Sequence, residues 1–168
     1  MSMDFELTFT DKTADIIKAI EERGVVALNA VGIQVVNHAQ ANIRRAGIID
    51  TGRLRNSITY TTKMVKGSTI DYKTDKRGKV LRDNSAQVQT MEDNTVVVGT
   101  AVSYGVWHEV GTGIYASDGM GRKSPWHYYD SEGVLHWTRG VHATHFLRNA
   151  IADHKEEYRQ IILKELKG

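Results

Sequence analysis

Apolar and polar residues along this chain recur with two different periods, and the switches between them mark out its elements. Phe5, Leu7 and Phe9 alternate with Asp4, Glu6 and Thr8, the signature of a strand with one buried face. Thr10 or Asp11 can cap a helix beginning just after that strand. From Thr13 to about Arg45 the spacing is helical: Ile16, Ile17 and Ile20 first, then Leu28, Val31, Val35, Ala39 and Ile43 at steps of three and four. Gly24 falls between the two portions. A glycine in a helix interior costs roughly 1 kcal/mol relative to alanine, so a bend or break is expected near Arg23-Gly24, with a short helix before it and a long one after. Gly47 closes the long helix.

Asp50-Thr-Gly-Arg-Leu-Arg-Asn-Ser-Ile58 reads as a capped turn leading into a short helical segment, with Arg53 and Arg55 beside apolar Leu54. It is either a solvated turn or a contact surface for acidic groups, whose carboxylates match guanidinium forks. Ser57 to Val65 then reads as a strand with Ile58, Tyr60 and Thr62 on one face, and its natural antiparallel partner is Thr95 to Thr100. Between them lies Lys66 to Asp93, a charged segment poor in large apolar residues and expected to lack structure of its own. Its basic members Lys66, Lys73, Lys76, Arg77, Lys79 and Arg82 make it either a hairpin tip or a mobile arm, ordered by a neighbouring subunit or facing DNA.

The stretch from Val96 to Gly113 changes character midway. After its β-branched start, Ser103 to Val110 carries Tyr104, Trp107 and Val110 at helical spacing, a short amphipathic helix capped by Ser103 and stopped by Gly111 and Gly113. Tyr104 and Trp107 should pack against the domain, leaving Glu109 at the rim either to meet an arginine such as Arg53 across an interface or simply to solubilise a short helix. An insert follows from Ile114 to Val141. Within it, Trp126 to Trp137 reads as two aromatic-rich strands joined at Asp130-Ser-Glu-Gly133 in a β-hairpin. Ala143 to Lys167 reads as a final helix with Leu147, Ile151, His154, Tyr158, Ile161 or Ile162, and Leu166 on one stripe.

Composition narrows the function. The 168 residues suit one domain, and a net charge of +2 gives no global electrostatic footprint for nucleic acid, so any basic character is local. With no cysteine there is no disulfide, thiolate metal site or cysteine nucleophile. The first residues lack the pattern of a signal peptide and no apolar run is long enough to span a membrane, which predicts a soluble intracellular product.

Five of the seven histidines lie between His108 and His145, and His142-x-x-His145 has a metal-compatible spacing. No carboxylate is patterned with that pair, no phosphate-binding loop is present, and nothing resembles a nucleophile elbow. No cofactor and no resident metal are therefore expected. A metal-dependent hydrolase built on the histidines and a stand-alone nucleic-acid-binding module on the basic segment stay open as alternatives.

Four segments in order carry a resemblance: Asp50-Thr-Gly-Arg-Leu-Arg-Asn-Ser-Ile58, Val97-Val-Gly-Thr100, Tyr104-x-x-x-x-Glu109-x-Gly-Thr-Gly113, and Phe146-Leu-Arg-x-Ala150. Together they resemble the tail-completion, or head-tail joining, proteins of long-tailed (siphovirus-type) bacteriophages and prophages. The family's usual prolines around the Phe-Leu-Arg box are replaced by His145 and Asn149, and both inserts are longer than the family minimum. The resemblance implies an α+β domain, a small antiparallel sheet packed by a long N-terminal helix and a C-terminal helix. It also implies a non-enzymatic virion protein that forms a homo-oligomeric ring, a hexamer, between tail tube and head connector, assembled in the host cytoplasm with DNA passing through its lumen. For such a ring the candidate interface residues are Arg53, Arg55, Tyr104, Trp107, Glu109, Trp126 and Trp137, with no membrane contact.

Overall fold

A computed structural model describes residues 11–49, 52–62, 94–130 and 132–167, together with the backbone of short strand segments between residues 67 and 88. The expected strand at Phe5 to Phe9, the alternative cap Thr10, and Asp50 and Thr51 lie outside the described residues.

The first helix, α1 (Thr13–Arg45), is unbroken over 33 residues, about 50 Å at 1.5 Å per residue. Asp11 Oδ1 accepts the Thr13 amide at 2.9 Å ahead of its first turn. Helical geometry persists through Gly24, contrary to the expected break. The penalty for one interior glycine is small beside the packing that holds both halves in line, because the C-terminal helix lies along α1 and Arg23 donates to the Leu166 carbonyl at 3.2 Å. Ala27, Val31, Val35, Ala39 and Ile43 are buried at uniform steps of four, one continuous core stripe. Gly47 does end the helix, at φ +67°, with its amide donating to the Arg44 carbonyl.

Two glycines of α1 divide cleanly by what surrounds them. A Cβ on Gly32 would sit 2.4 Å from the Tyr60 ring, whereas one on Gly24 would meet nothing within 4 Å. Gly32→Ala should therefore destabilise the fold by about 1–3 kcal/mol through overpacking. Gly24→Ala should stabilise it by about 0.5–1 kcal/mol. Thermal unfolding of the two single variants checks both signs.

After α1 the chain forms the short helix α2 (Arg53–Ser57) and enters β1 (Thr59–Thr61). The Ser57 hydroxyl bonds the Leu54 carbonyl at 2.8 Å and meets the Thr100 hydroxyl, tying α2 to the far side of the sheet. The segment expected to be unstructured contains β2 (Gly67–Thr69), β3 (Tyr72–Thr74), β4 (Val80–Asp83) and β5 (Ala86–Val88). These pair antiparallel, β2 with β5 and β3 with β4, with an irregularity at Lys73/Thr74. Gly67↔Val88, Thr69↔Ala86 and Tyr72↔Asp83 share one register, so β3 and β4 pair in step with β2 and β5, and the four strands are called the arm below. The backbone ladder, which asks little of large side chains, is what organises this polar segment. Lys73 and Arg82 are direct cross-strand partners; Lys66, Lys76, Arg77 and Lys79 lie outside the described residues.

The return strand β6 (Val97–Gly99) pairs with β1 as expected, Thr59↔Gly99 through Thr61↔Val97. Helix α3 (Gly105–Val110) follows, then a 3-10 turn at Gly113–Tyr115 and the hairpin of β7 (Trp126–Tyr129) and β8 (Leu135–Thr138). Asp130 builds the expected hairpin turn: its carboxylate accepts the Glu132 and Val134 amides at 2.8 and 2.9 Å and faces His136 Nε2 at 2.7 Å. Those bonds, that to His136 foremost, hold the Asp130 carboxyl below the usual carboxylate range.

The expected single C-terminal helix is two, α4 (Phe146–Asp153) and α5 (Lys155–Lys167), parted at His154. Phe146, Ala150 and Tyr158 are buried, with half-buried His154 between them at steps of four, while Ile151 and Leu166, assigned to the inner stripe from their spacing, are exposed. Phe146 and Ala150 join Val31, Val35, Ala39 and Ile43 in the core, with Leu54, Ile58 and Val102 of the sheet side. The result is α+β: a small antiparallel sheet and its arm on one side, α1 and the C-terminal helices on the other.

Candidate functional site

Three places bear on function: the α3–α4 junction, the surface aromatics, and a histidine cluster on the helical side. At the first, α3 begins at Gly105 with Tyr104 before it, and no side-chain cap from Ser103 is made. The Gly105 amide instead reaches the Val102 carbonyl at 2.9 Å. Gly105 is buried, and a Cβ there would press on Leu54 at 2.9 Å.

The expected rim position of Glu109 is not what the structure shows. Its two carboxylate oxygens accept the Leu147 and Arg148 amides at 2.9 and 3.0 Å, at the first turn of α4. Those amides have no partner within the helix, and the positive end of the helix dipole faces the same way, so the carboxylate satisfies both. Two further bonds run in the same direction, the Thr144 and His145 amides donating to the His108 and Glu109 carbonyls of α3. His145 takes a left-handed conformation, φ +49°, to turn the chain into α4.

Gly111-Thr-Gly113 explains itself here as a close approach of backbones. The Thr112 and Ile114 amides donate to the Val141 and Arg139 carbonyls at 2.8 and 3.0 Å. A Cβ on Gly113, itself at φ +60°, would lie 1.9 Å from the Arg139 carbonyl oxygen, so only glycine fits.

The candidate interface residues separate into two groups. Tyr104 is half-buried, with the Arg53 guanidinium 5.8 Å from its ring centre and the His108 ring edge-on at 6.1 Å. Arg55 bonds the Asn56 side chain at 3.0 Å. Trp126 lies over Gly113 with the Arg122 guanidinium 5.6 Å from its ring. Trp107, expected to pack inwards, is 56% exposed and Trp137 71% exposed. Helix α3 is too short to bury two faces, and its inner one is taken by Gly105 against Leu54, with Tyr104 packed on the core, so Trp107 faces outwards.

His142 and His145 do not converge. His142 stacks on Tyr115, ring centres 3.7 Å apart, while His145 stands just before the first turn of α4. A different cluster, which no sequence motif reveals, gathers His38 of α1, His154 of the α4–α5 turn and Glu157 of α5. The two imidazoles stack with centres 3.5 Å apart and planes 11° from parallel. Glu157 Oε2 lies 3.1 Å from His154 Nδ1 and 3.6 Å from His38 Nε2. On its other side, His38 Nδ1 meets the Tyr158 hydroxyl at 2.7 Å, and that hydroxyl donates to the Ala150 carbonyl at 2.7 Å. Burial, helped by the Glu157 charge, pushes the Tyr158 phenol up to about 12. Burial and the neighbouring His154 push His38 below the usual imidazole range, against a smaller opposing pull from Glu157. The signal available in the sequence was His154-x-x-Glu157, one helical turn apart, but nothing there points to His38.

Comparison of the chain with models of protein families, with curated proteins and with solved structures finds no match in any of the three. Among the described residues, no helix is long and apolar enough to cross a membrane.

Proposed function

We propose that the protein is a structural component of a long-tailed phage or prophage particle, forming a homo-oligomeric ring, a hexamer, that completes the tail and joins it to the head connector. The observation that carries the reading is exposed apolar surface, concentrated among the described residues in separate parts of the fold. Ile16, Ile17 and Ile20 lie exposed on the N-terminal half of α1, Val106 and Trp107 on α3, and Leu135 and Trp137 on the hairpin. Separate patches on one chain are what a heterologous, closing interface uses, each patch meeting a different one on the neighbour. The four ordered segments that resemble the family support the same reading.

In this ring the Gly111-Thr-Gly113 approach and the Glu109 cap fix the angle at which α3 presents Trp107 to the next subunit. The arm, with Lys73 and Arg82 as cross-strand partners, supplies local positive charge for DNA in the lumen. In this role the chain carries out no reaction, uses no cofactor, and resides in the virion after assembly in the host cytoplasm.

Native mass measurement tests it. The purified protein at high concentration, or with its tail-tube partner, should give one closed stoichiometry of six copies. Trp107→Ser combined with Trp137→Ser should give monomer with an unchanged circular-dichroism spectrum. A parent protein that stays monomeric under both conditions would overturn the ring.

A further inference from the structure

We propose that His38, His154 and Glu157 form a binding site for one divalent transition-metal ion of the zinc class, which clamps α1 to the turn between α4 and α5. The residues come from three separate elements, and their donor atoms all lie within 4.8 Å of one another. Two nitrogens and one carboxylate oxygen are a donor set suited to zinc and its neighbours rather than to magnesium or calcium, which prefer oxygen alone.

The distances fit. A tetrahedral ion with bonds of about 2.0–2.1 Å holds its ligand atoms about 3.3 Å apart. Glu157 Oε2 already stands 3.1 Å from His154 Nδ1 and 3.6 Å from His38 Nε2, so two of the three ligand-to-ligand edges are close to the required length. Only the third, between the stacked imidazoles, must adjust, by rotation of the more exposed His154 ring at the turn.

The protonation state fits as well. The Tyr158 hydroxyl has one proton and gives it to the Ala150 carbonyl, so its oxygen receives a bond from His38 Nδ1–H. The neutral His38 imidazole is thereby fixed with its free lone pair on Nε2, the atom beside Glu157. This is the arrangement found behind metal-bound histidines, where a hydrogen bond on the far nitrogen sets tautomer and ring orientation. His154 and Glu157 are partly exposed, which leaves the ion an entry path and a fourth position for water.

The test uses the full chain, stripped with a chelator, desalted and titrated with zinc sulfate by calorimetry, with thermal unfolding as a second readout. One equivalent should bind, and the unfolding midpoint should rise with zinc and fall back on chelation. His154→Ala and Glu157→Gln should each weaken binding by more than about a hundredfold, since loss of an outer partner alone costs about 10–100-fold. Tyr158→Phe, which removes the bond that positions His38, should fall within that 10–100-fold range. His142→Ala should bind as the parent does. Glu157 is exposed on α5, so its variant carries the test if His154→Ala fails to fold. Absence of saturable binding, or equal affinity in the Glu157→Gln and parent proteins, would overturn the site.

Discussion

Phe146→Ala should destabilise the protein by about 3–5 kcal/mol, an amount comparable to the whole stability of many domains. Phe146 is fully buried, and it touches the core from the point where the chain enters α4. Its ring packs among Val35, Ala39 and Ile43 of α1 and Leu54 and Val102 beyond, so it joins the helical side to the sheet side. Its backbone is held too, because Asn42 of α1 donates to the Phe146 carbonyl at 3.1 Å. Truncation to alanine leaves a cavity that helices pinned at both ends cannot close, so the transfer loss and the cavity term add. Urea unfolding of the variant should show either a much lower midpoint with an unchanged slope or no cooperative transition. A shift below about 1 kcal/mol would mean that the helices collapse onto the gap, and that the junction is softer than its hydrogen bonds indicate.

How much of this was legible in the sequence depends on whether a feature lives on one element or between elements. The stripe of α1 and its stop at Gly47 were legible because helical period and a left-handed glycine are local. The Asp130 turn was legible for the same reason, and the β1–β6 pair, though it lies between elements, was legible because each strand carries its own β-branched pattern. Gly24 misled because propensity is a weak term that the packing of α5 along α1 outweighs. The arm looks unstructured in sequence because its order comes from backbone pairing of β2 with β5 and of β3 with β4, and few large side chains advertise it. Tyr158 of the C-terminal segment is buried as its spacing predicts, but the inner face of α4 runs through Phe146 and Ala150, which leaves Ile151 exposed. His38 sits near the middle of α1 on no motif, and only the docking of α5 brings Glu157 to it.

Glu109→Arg should cost about 2–4 kcal/mol of folding stability, and this outcome separates a role in the fold from one confined to an interface. Both carboxylate oxygens are engaged by the Leu147 and Arg148 amides, and hydrogen bonds to a charged group each contribute about 1.5–3 kcal/mol before local rearrangement. Arginine removes both acceptors and places a cation against the positive end of α4, which adds repulsion where there was attraction. Water can reach the half-buried site and satisfy one amide, which keeps the expected loss below the sum of the two bonds. Glu109→Gln keeps one acceptor without the charge and should lose only about 1 kcal/mol. The order parent, Gln, Arg in urea midpoints is therefore the expected result. Because α4 begins with Phe146, the Arg variant should also loosen the core beneath it, and hydrogen exchange should report this first at the Leu147 and Arg148 amides. If Glu109→Arg unfolds at the parent's midpoint while blocking ring formation, the carboxylate acts between subunits and its bonds to α4 carry no weight in folding. If the midpoint falls and the Gln variant still assembles, Glu109 serves the ring only by setting the α3–α4 angle, and Trp107 makes the contact itself.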